Sequence, residues 1–537
     1  MTRRIAQRLE DALILYAASF DLILNHFHSS LKPRIRRECN SAGGGDGHDP
    51  HNTSMAHASS AHSRRDHTIW WMAQEQAGMR MAVERSEGLL RQLGVVTATA
   101  LVVSNMIGTG IFATTGYLAG QLGDTTLVLS IWLVGAVCAL AGAFCYSELG
   151  VNFPSSGGEY VYLTNAYGPA WGFMTGWISF VAGFSAPIAA AALAFADYLG
   201  HFFPLLRQEN APILIGSGSW SIRLGGAQLL ASGLIALLTL LNLFGIQRVA
   251  RFQNVFTALK VAVILSFILL GLTVGQGDWR HFGETAVRTT TTPIVSQFAV
   301  SLFFIYASYS GWNAATYVAE ELRKPERTLP LALTVGTVLV AALYFGLNAV
   351  FIYGVPLEKM KGVIAVGALS ASHLFGPEVA GLFSALMALA LVSTVNAMVT
   401  IGPRVYYAMA KNRAFFAAAA KVDARWHTPV NAILWQGLAA MLMTLSPFGG
   451  LFFYIGITLN LSAGFSVASL FLLRKRPGWR KLPVVSFAYP LVPGLFLAVS
   501  AWMFFFGITL EPVVTLATVL TVGTGALFYH FKIRPRS

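Results

Sequence analysis

Two short stretches place glycine, hydroxyl and amide groups inside an otherwise apolar chain. One is Ile107-Gly108-Thr109-Gly110-Ile111-Phe112; the other is Tyr309-Ser310-Gly311-Trp312-Asn313. Two glycines around a threonine weaken a helix. Small and polar residues at membrane depth are tolerated where the backbone lines a cavity. An unwound turn frees N–H groups at the start of the next half-helix, and their partial positive charge suits a carboxylate. The carbonyls that end the preceding half-helix are partly negative and suit an ammonium. One break therefore offers complementary ends to a zwitterion such as an α-amino acid. Each glycine pair, taken alone, fits close helix packing equally well. Their matched positions favour breaks.

Lys260 is the other chemically pointed residue, in Phe256-Thr257-Ala258-Leu259-Lys260. A charge in an apolar segment is costly and often functional. A lysine that snorkels to the membrane face near Arg251 is the other reading. No enzyme constellation accompanies it. His201, His281, His373, His427 and His530 do not cluster, and no Gly-x-x-x-x-Gly-Lys-Ser/Thr motif provides for ATP. The three cysteines, Cys39, Cys138 and Cys145, give no disulfide framework and no metal site. No cofactor is implied.

The elements that must hold these residues are membrane helices. Of the 537 residues 55% are hydrophobic and 11% charged, against roughly a quarter charged in soluble domains. Stretches of about 20 apolar residues, enough to span a bilayer, follow one another from Leu93 onward. We read twelve: Leu93–Leu118, Leu127–Leu149, Gly172–Tyr198, Gly226–Phe244, Val255–Val274, Ser296–Ala319, Leu331–Val355, Ala380–Met409, Val430–Leu445, Leu451–Leu473, Pro490–Phe506 and Pro512–Tyr529. With the N-terminus inside, 17 Lys and Arg residues fall in inner connections and the C-terminal tail, and 6 fall in outer loops. That bias predicts both termini in the cytoplasm. It also explains the net charge of +13 without nucleic acid.

Residues 1–90 differ in kind. Met1 to Phe27 has an amphipathic pattern with Ile5, Leu9, Leu13 and Tyr16 on one side, and residues 40–68 have a disordered composition. The segment reads either as a disordered tail or as the product of a misassigned start, with Met72, Met79 or Met81 as the true one. Its scattered histidines are weak evidence for metal. Residues 91–537 form the membrane domain.

Breaks five spans apart suggest two inverted five-helix repeats, about 93–274 and 296–473, plus two C-terminal helices at 490–529. The motifs resemble a known family. Ile107–Phe112 is similar to the first-helix signature of the amino acid–polyamine–organocation superfamily. Tyr146-Ser147-Glu148-Leu149-Gly150 and Pro154-Ser155-Ser156-Gly157-Gly158-Glu159-Tyr160 resemble the loop after its second helix. Tyr309–Asn313, then Glu320-Glu321-Leu322-Arg323-Lys324-Pro325 and Leu329-Pro330, resemble the sixth-helix segment of its L-type amino acid transporter branch. Ser393-Thr394-Val395-Asn396 resembles that branch's eighth helix.

The resemblance implies an all-α membrane protein of about twelve transmembrane helices, working by alternating access. It places the substrate carboxylate on amides near Gly108, Thr109 and Gly110. It places the amine on carbonyls near Met106, Ile107, Ala307 and Ser308. Asn313, Ser393 and Asn396 would contribute side chains. Animal members carry a bulky aromatic gate where this chain has Ala307, so Tyr306, Tyr309 and Trp312 are the candidate gates, with Trp312 fitting packing equally. In sodium-independent relatives a lysine at the position of Lys260 stands in for the ion. Heavy-chain partners attach through a cysteine between the third and fourth spans; residues 199–225 hold none, so no disulfide-linked heavy chain is expected.

The expected function is secondary transport of amino acids, neutral ones by the lack of acids deep in the first, third, sixth, eighth and tenth spans. Exchange and proton symport both remain open, as does inner-membrane transport of amines, polyamines or cationic amino acids. A non-transporting nutrient sensor is the rival of another class; no folded signalling domain is visible for it.

Overall fold

The computed structural model describes residues 90–207, 210–215, 222–244, 246–363, 366–446, 448–486 and 488–533. The readings of residues 1–89 lie outside it. Among the described residues ten helices are long and apolar enough to cross a membrane. They answer to all the expected spans except the first, which is broken in two, and the ninth, which is a helix of 14 residues at Val430–Met443. Large apolar side chains such as Leu229, Leu269, Leu382, Leu442, Phe505 and Leu527 face outward. A bilayer, unlike water, accepts such a surface.

Both breaks are present. The first span runs as a helix over Val95–Met106, leaves helical geometry at Ile107 and Gly108, and resumes over Thr109–Leu122. The sixth runs over Ile294–Tyr309, turns through Ser310 and Gly311, and resumes over Ala314–Glu321 as a tight 3-10 helix rather than an α-helix. Gly311 has φ +101°, a conformation that side chains disfavour.

The third span carries a π-helical stretch at Ser179–Ser185, between Pro169–Ile178 and Ala186–Leu199. Such wide turns often mark functional sites. Asp124 caps the second span, Thr125–Asn152, by accepting from the Leu127 N–H at 3.0 Å. Several elements were not expected from the sequence. A hairpin pairs Ile213–Ile215 with Ile222–Leu224, and helices at Leu357–Met360 and Val366–Phe375 lie between the seventh and eighth spans. They are connectors too short to register as spans.

Spans four, five and eight are joined by a fully buried amide network. Asn242 donates to Asn396 at 3.0 Å, Asn396 to Gln253 at 2.6 Å, and Thr400 to Asn242 at 2.8 Å. Interhelical hydrogen bonds of this kind hold membrane helices together where lipid gives no hydrophobic drive.

The start of the first span is tied to the end of the sixth. Gln92 and Leu93 N–H both donate to the Glu321 carbonyl at 2.9 Å, and Arg323 N–H donates to Leu93 at 2.8 Å. At the same end Arg404 of the eighth span meets Glu321 at 2.8 Å, with side chains 1% and 0% exposed. Removing one partner of a buried ion pair leaves a bare charge and costs about 3–5 kcal/mol, while an apolar replacement of both is often neutral. Arg404→Met should therefore lower the melting temperature of the purified protein. Arg404→Met combined with Glu321→Leu should recover most of the loss. Equal loss in the double variant would show that the charges are not what couples these spans.

Candidate functional site

The two breaks face one another across a cavity. It is lined by Asn105, Met106, Gly108, Thr109 and Gly110 of the first span and by Ala307, Ser308 and Ser310 of the sixth. Pro187, Ala190 and Ala191 of the third, Thr394 and Met398 of the eighth, and Ile455 of the tenth complete it. A second cavity shares Asn105, Ser310 and Met398 with the first. It continues between Phe184, Tyr306, Trp312, Asn313, Tyr317, Leu459 and Glu159.

Most of these walls are small or apolar. Among the described residues no Lys, Arg or His lines either cavity, and Glu159 is the one acid. Asn105 is 6% exposed, and its Oδ1 has no hydrogen-bond partner among the described residues. A buried acceptor left open beside a cavity suits a ligand donor.

The amide end of the first break stands open. Gly108 is extended at φ −134°, ψ −155°, and the helix that follows has no side-chain cap. Its first N–H groups are orphan donors, which an anion satisfies.

The carbonyl end is held from behind. Lys260 is 1% exposed, so it does not snorkel. Its Nζ lies 2.9 Å from the Ile107 carbonyl, 2.7 Å from Thr394 Oγ1, and 3.1 and 3.3 Å from the hydroxyl and carbonyl of Ser104. Thr394 also donates to Ile107 at 2.5 Å. The Tyr344 hydroxyl lies 2.6 Å from the Met106 carbonyl and 2.9 Å from the Ser308 carbonyl. With one proton it donates to one at a time, and so bridges the two breaks.

The sequence-expected residues divide into three groups. Met106, Gly108, Thr109, Gly110, Ala307, Ser308, Asn313, Tyr306 and Trp312 line one or other cavity. Ile107 contributes its carbonyl, which is aimed at Lys260 rather than at the cavity. Ser393, Asn396 and Tyr309 are placed elsewhere.

Ser393 bonds Gln253 and Ser104, and Asn396 belongs to the amide network. They sit on the helix face turned to the fourth and fifth spans. Thr394 and Met398, one turn apart, face the cavity instead. Tyr309 packs on Trp132 and Tyr344, with ring centroids 5.9 and 5.0 Å away, and its hydroxyl donates to the Trp132 carbonyl. It therefore packs between the second and seventh spans and lines neither cavity.

Four residues were missed. Thr394 and Glu159 stand inside motifs noted in the sequence, and their facing was not resolved there. Asn105 adjoins the first motif. Tyr344 is an aromatic in an apolar helix, with no sequence cue to its hydroxyl contact.

A bundle of membrane-crossing helices with its first and sixth members broken, walled around a small cavity, defines a membrane carrier rather than an enzyme. Residues 93–527 match the amino acid permease family, and the chain belongs to it. The large neutral amino acids transporter small subunit 2 of Mus musculus is 29% identical over 451 residues, covering 83% of this chain and 81% of that protein. The b(0,+)-type amino acid transporter 1 of Homo sapiens is 26% identical, covering 86% and 92%. The serine/threonine exchanger SteT of Bacillus subtilis is 27% identical, covering 84% and 98%.

The geometry separates the glycines. A Cβ on Gly110 would lie 2.5 Å from Ser308 Oγ and 2.6 Å from Ser308 Cα. One on Gly311 would lie 2.7 Å from Asn105 Nδ2, with the added strain of positive φ. One on Gly108 would reach Thr394 Cγ2 at an ordinary 3.4 Å. Gly110→Ala and Gly311→Ala should therefore lose folded yield and transport together. Gly108→Ala should fold normally, so any transport defect it shows reports on the approach of the substrate. Normal transport by Gly110→Ala would refute the close packing of the two broken spans.

Proposed function

We propose that this permease carries neutral α-amino acids across the cytoplasmic membrane by alternating access, with both termini in the cytoplasm. The observation that supports this most is one cavity bounded by the open amide end of the first break and by small apolar walls. The substrate carboxylate sits on the amides after Gly108. Its ammonium takes Asn105 Oδ1 and the free lone pairs of the carbonyls around Met106 and Ala307. Its side chain extends past Ala307 toward Met398 and Ile455. The two inverted repeats, about 93–274 and 296–473, move around this site. Seventeen inner against six outer basic residues support the orientation. No disulfide-linked heavy chain joins it, in line with the absence of cysteine between residues 199 and 225.

Lys260 supplies a fixed cation between the first and eighth spans. Its ammonium occupies the space and supplies the charge that a sodium ion would. Transport should therefore proceed without sodium. Lys260→Ala should insert but carry substrate far more slowly. A strict sodium requirement in the unaltered protein would refute this role.

The substrate class follows from the walls. A charged side chain left unpaired at this depth costs about 2.5–3.5 kcal/mol, or roughly a hundredfold in affinity at about 1.4 kcal/mol per decade. Exchange of labelled leucine in proteoliposomes should be inhibited by leucine, alanine or serine, and weakly by glutamate or putrescine. Glu159 in the second cavity favours a second reading, in which a long cationic side chain ends on that carboxylate. Arginine competing better than leucine would establish it and overturn the neutral one.

A further inference from the structure

The described residues hold three buried acids: Glu148, Glu159 and Glu321. Two are matched by arginines. Arg474 grips Glu148 at 2.6 and 2.8 Å, and Arg404 grips Glu321. Glu159, 3% exposed, has no basic partner among the described residues. It lies at the start of the helix Glu159–Tyr167, in the connection between the second and third spans.

Its hydrogen-bond donors are neutral and come from separate elements. Tyr146 Oη of the second span donates to Oε1 at 2.6 Å, Asn313 Nδ2 of the sixth to Oε1 at 3.1 Å, and Ser462 Oγ of the tenth to Oε2 at 3.0 Å. The titratable groups around it are also neutral at ordinary pH. They are Tyr146 from the second span, Tyr162 from its own helix, and Tyr306 and Tyr317 from the sixth. The third and tenth spans present Ser179 and Ser462 on this side. Burial pushes the Glu159 carboxyl up from its ordinary value, against the pull of the Tyr146, Ser462, Tyr317 and Asn313 hydrogen bonds.

The position gives this acid a use. Glu159 lines the second cavity, which shares Asn105, Ser310 and Met398 with the cradle at the breaks. It is thus reachable from the substrate side. Tyr146 of the second span holds it from behind, and Asn313 and Tyr317, which line the same cavity, belong to the sixth-span segment that must move for the site to open. A carboxyl reached first from one face and then from the other exchanges protons with both.

We propose that Glu159 is a proton-binding site that couples substrate movement to a proton. With the cavity open to the outside, the carboxylate takes a proton from water and becomes a neutral acid. With the sixth-span segment withdrawn, it loses the Asn313 hydrogen bond, meets the inner water and releases the proton there. One proton enters with each neutral substrate, and the empty carrier returns with Glu159 ionised. The site serves both states, because the Tyr146 and Ser462 hydroxyls can accept as well as donate.

This inference rests on the amino acid reading above, and the two fail separately. Purified full-length protein in proteoliposomes is assayed in two ways, by labelled-for-unlabelled leucine exchange at equal pH and by net leucine uptake under an acid-outside gradient. Absence of exchange would sink the substrate reading. Exchange with net uptake indifferent to the gradient would overturn the proton site alone. The expected result is exchange together with an accumulation ratio that rises about tenfold per unit of pH gradient, the thermodynamic value for one proton per substrate. Glu159→Gln keeps the size of the side chain and cannot ionise. Its net uptake, taken relative to its own exchange rate, should lose the gradient response; a retained response overturns the proposal. Tyr146→Phe removes one hydrogen bond to the ionised form, so its uptake should reach half-maximum at higher pH. An unmoved profile overturns the proposal even if Glu159→Gln fails to insert.

Discussion

A backbone that leaves its helix inside a bilayer exposes polar groups that no water can reach, and each unsatisfied one costs several kcal/mol. The rest of this structure depends on how that cost is met at Ile107 and Gly108. Lys260 and Thr394 take the Ile107 carbonyl, and Tyr344 reaches Met106. These three side chains come from the fifth, eighth and seventh spans. The amide side is left unfilled. A break satisfied at one end and open at the other has a built-in polarity, and on the proposed reading that polarity would set which end of an amino acid goes where.

The same constraint explains the small residues. The two breaks can share one cavity only if their helices nearly touch. Gly110 against Ser308 and Gly311 against Asn105 provide that approach. Tyr344 then spans both breaks with a single hydroxyl. The buried lysine is affordable in this setting because four oxygen acceptors surround its ammonium. A buried charge with hydrogen bonds filled in this way remains tolerable where a bare one would not be.

Much of the fold was legible because membrane helices announce themselves by length and apolarity. The break at Gly108 was legible too, since glycine at membrane depth needs a reason. What the sequence hid was facing. Ser393, Thr394 and Asn396 fall within four residues, and only the packing of the eighth helix shows that the middle one turns to the cavity while the other two turn to Gln253 and Asn242. Glu159 was hidden for a different reason. It precedes its span in sequence, so a search of span interiors for acids passes it by, although the fold carries it to the second cavity.

Alternating access needs parts that move together as well as parts that separate. The three backbone bonds joining Gln92 and Leu93 to Glu321 and Arg323 bind the start of the first span to the end of the sixth. The half-helix before one break and the 3-10 helix after the other would therefore swing as one body. What resists that swing is lateral: the Arg404–Glu321 pair to the eighth span and the Glu159–Asn313 hydrogen bond to the connection before the third. Both involve charges or polar groups that regain water when the site opens, which offsets much of the cost of parting them. Apolar contacts in the same places would grip harder and regain nothing. On the alternating-access reading, polar latches at this seam would keep the closed and open forms close in free energy, the balance a carrier that visits both needs.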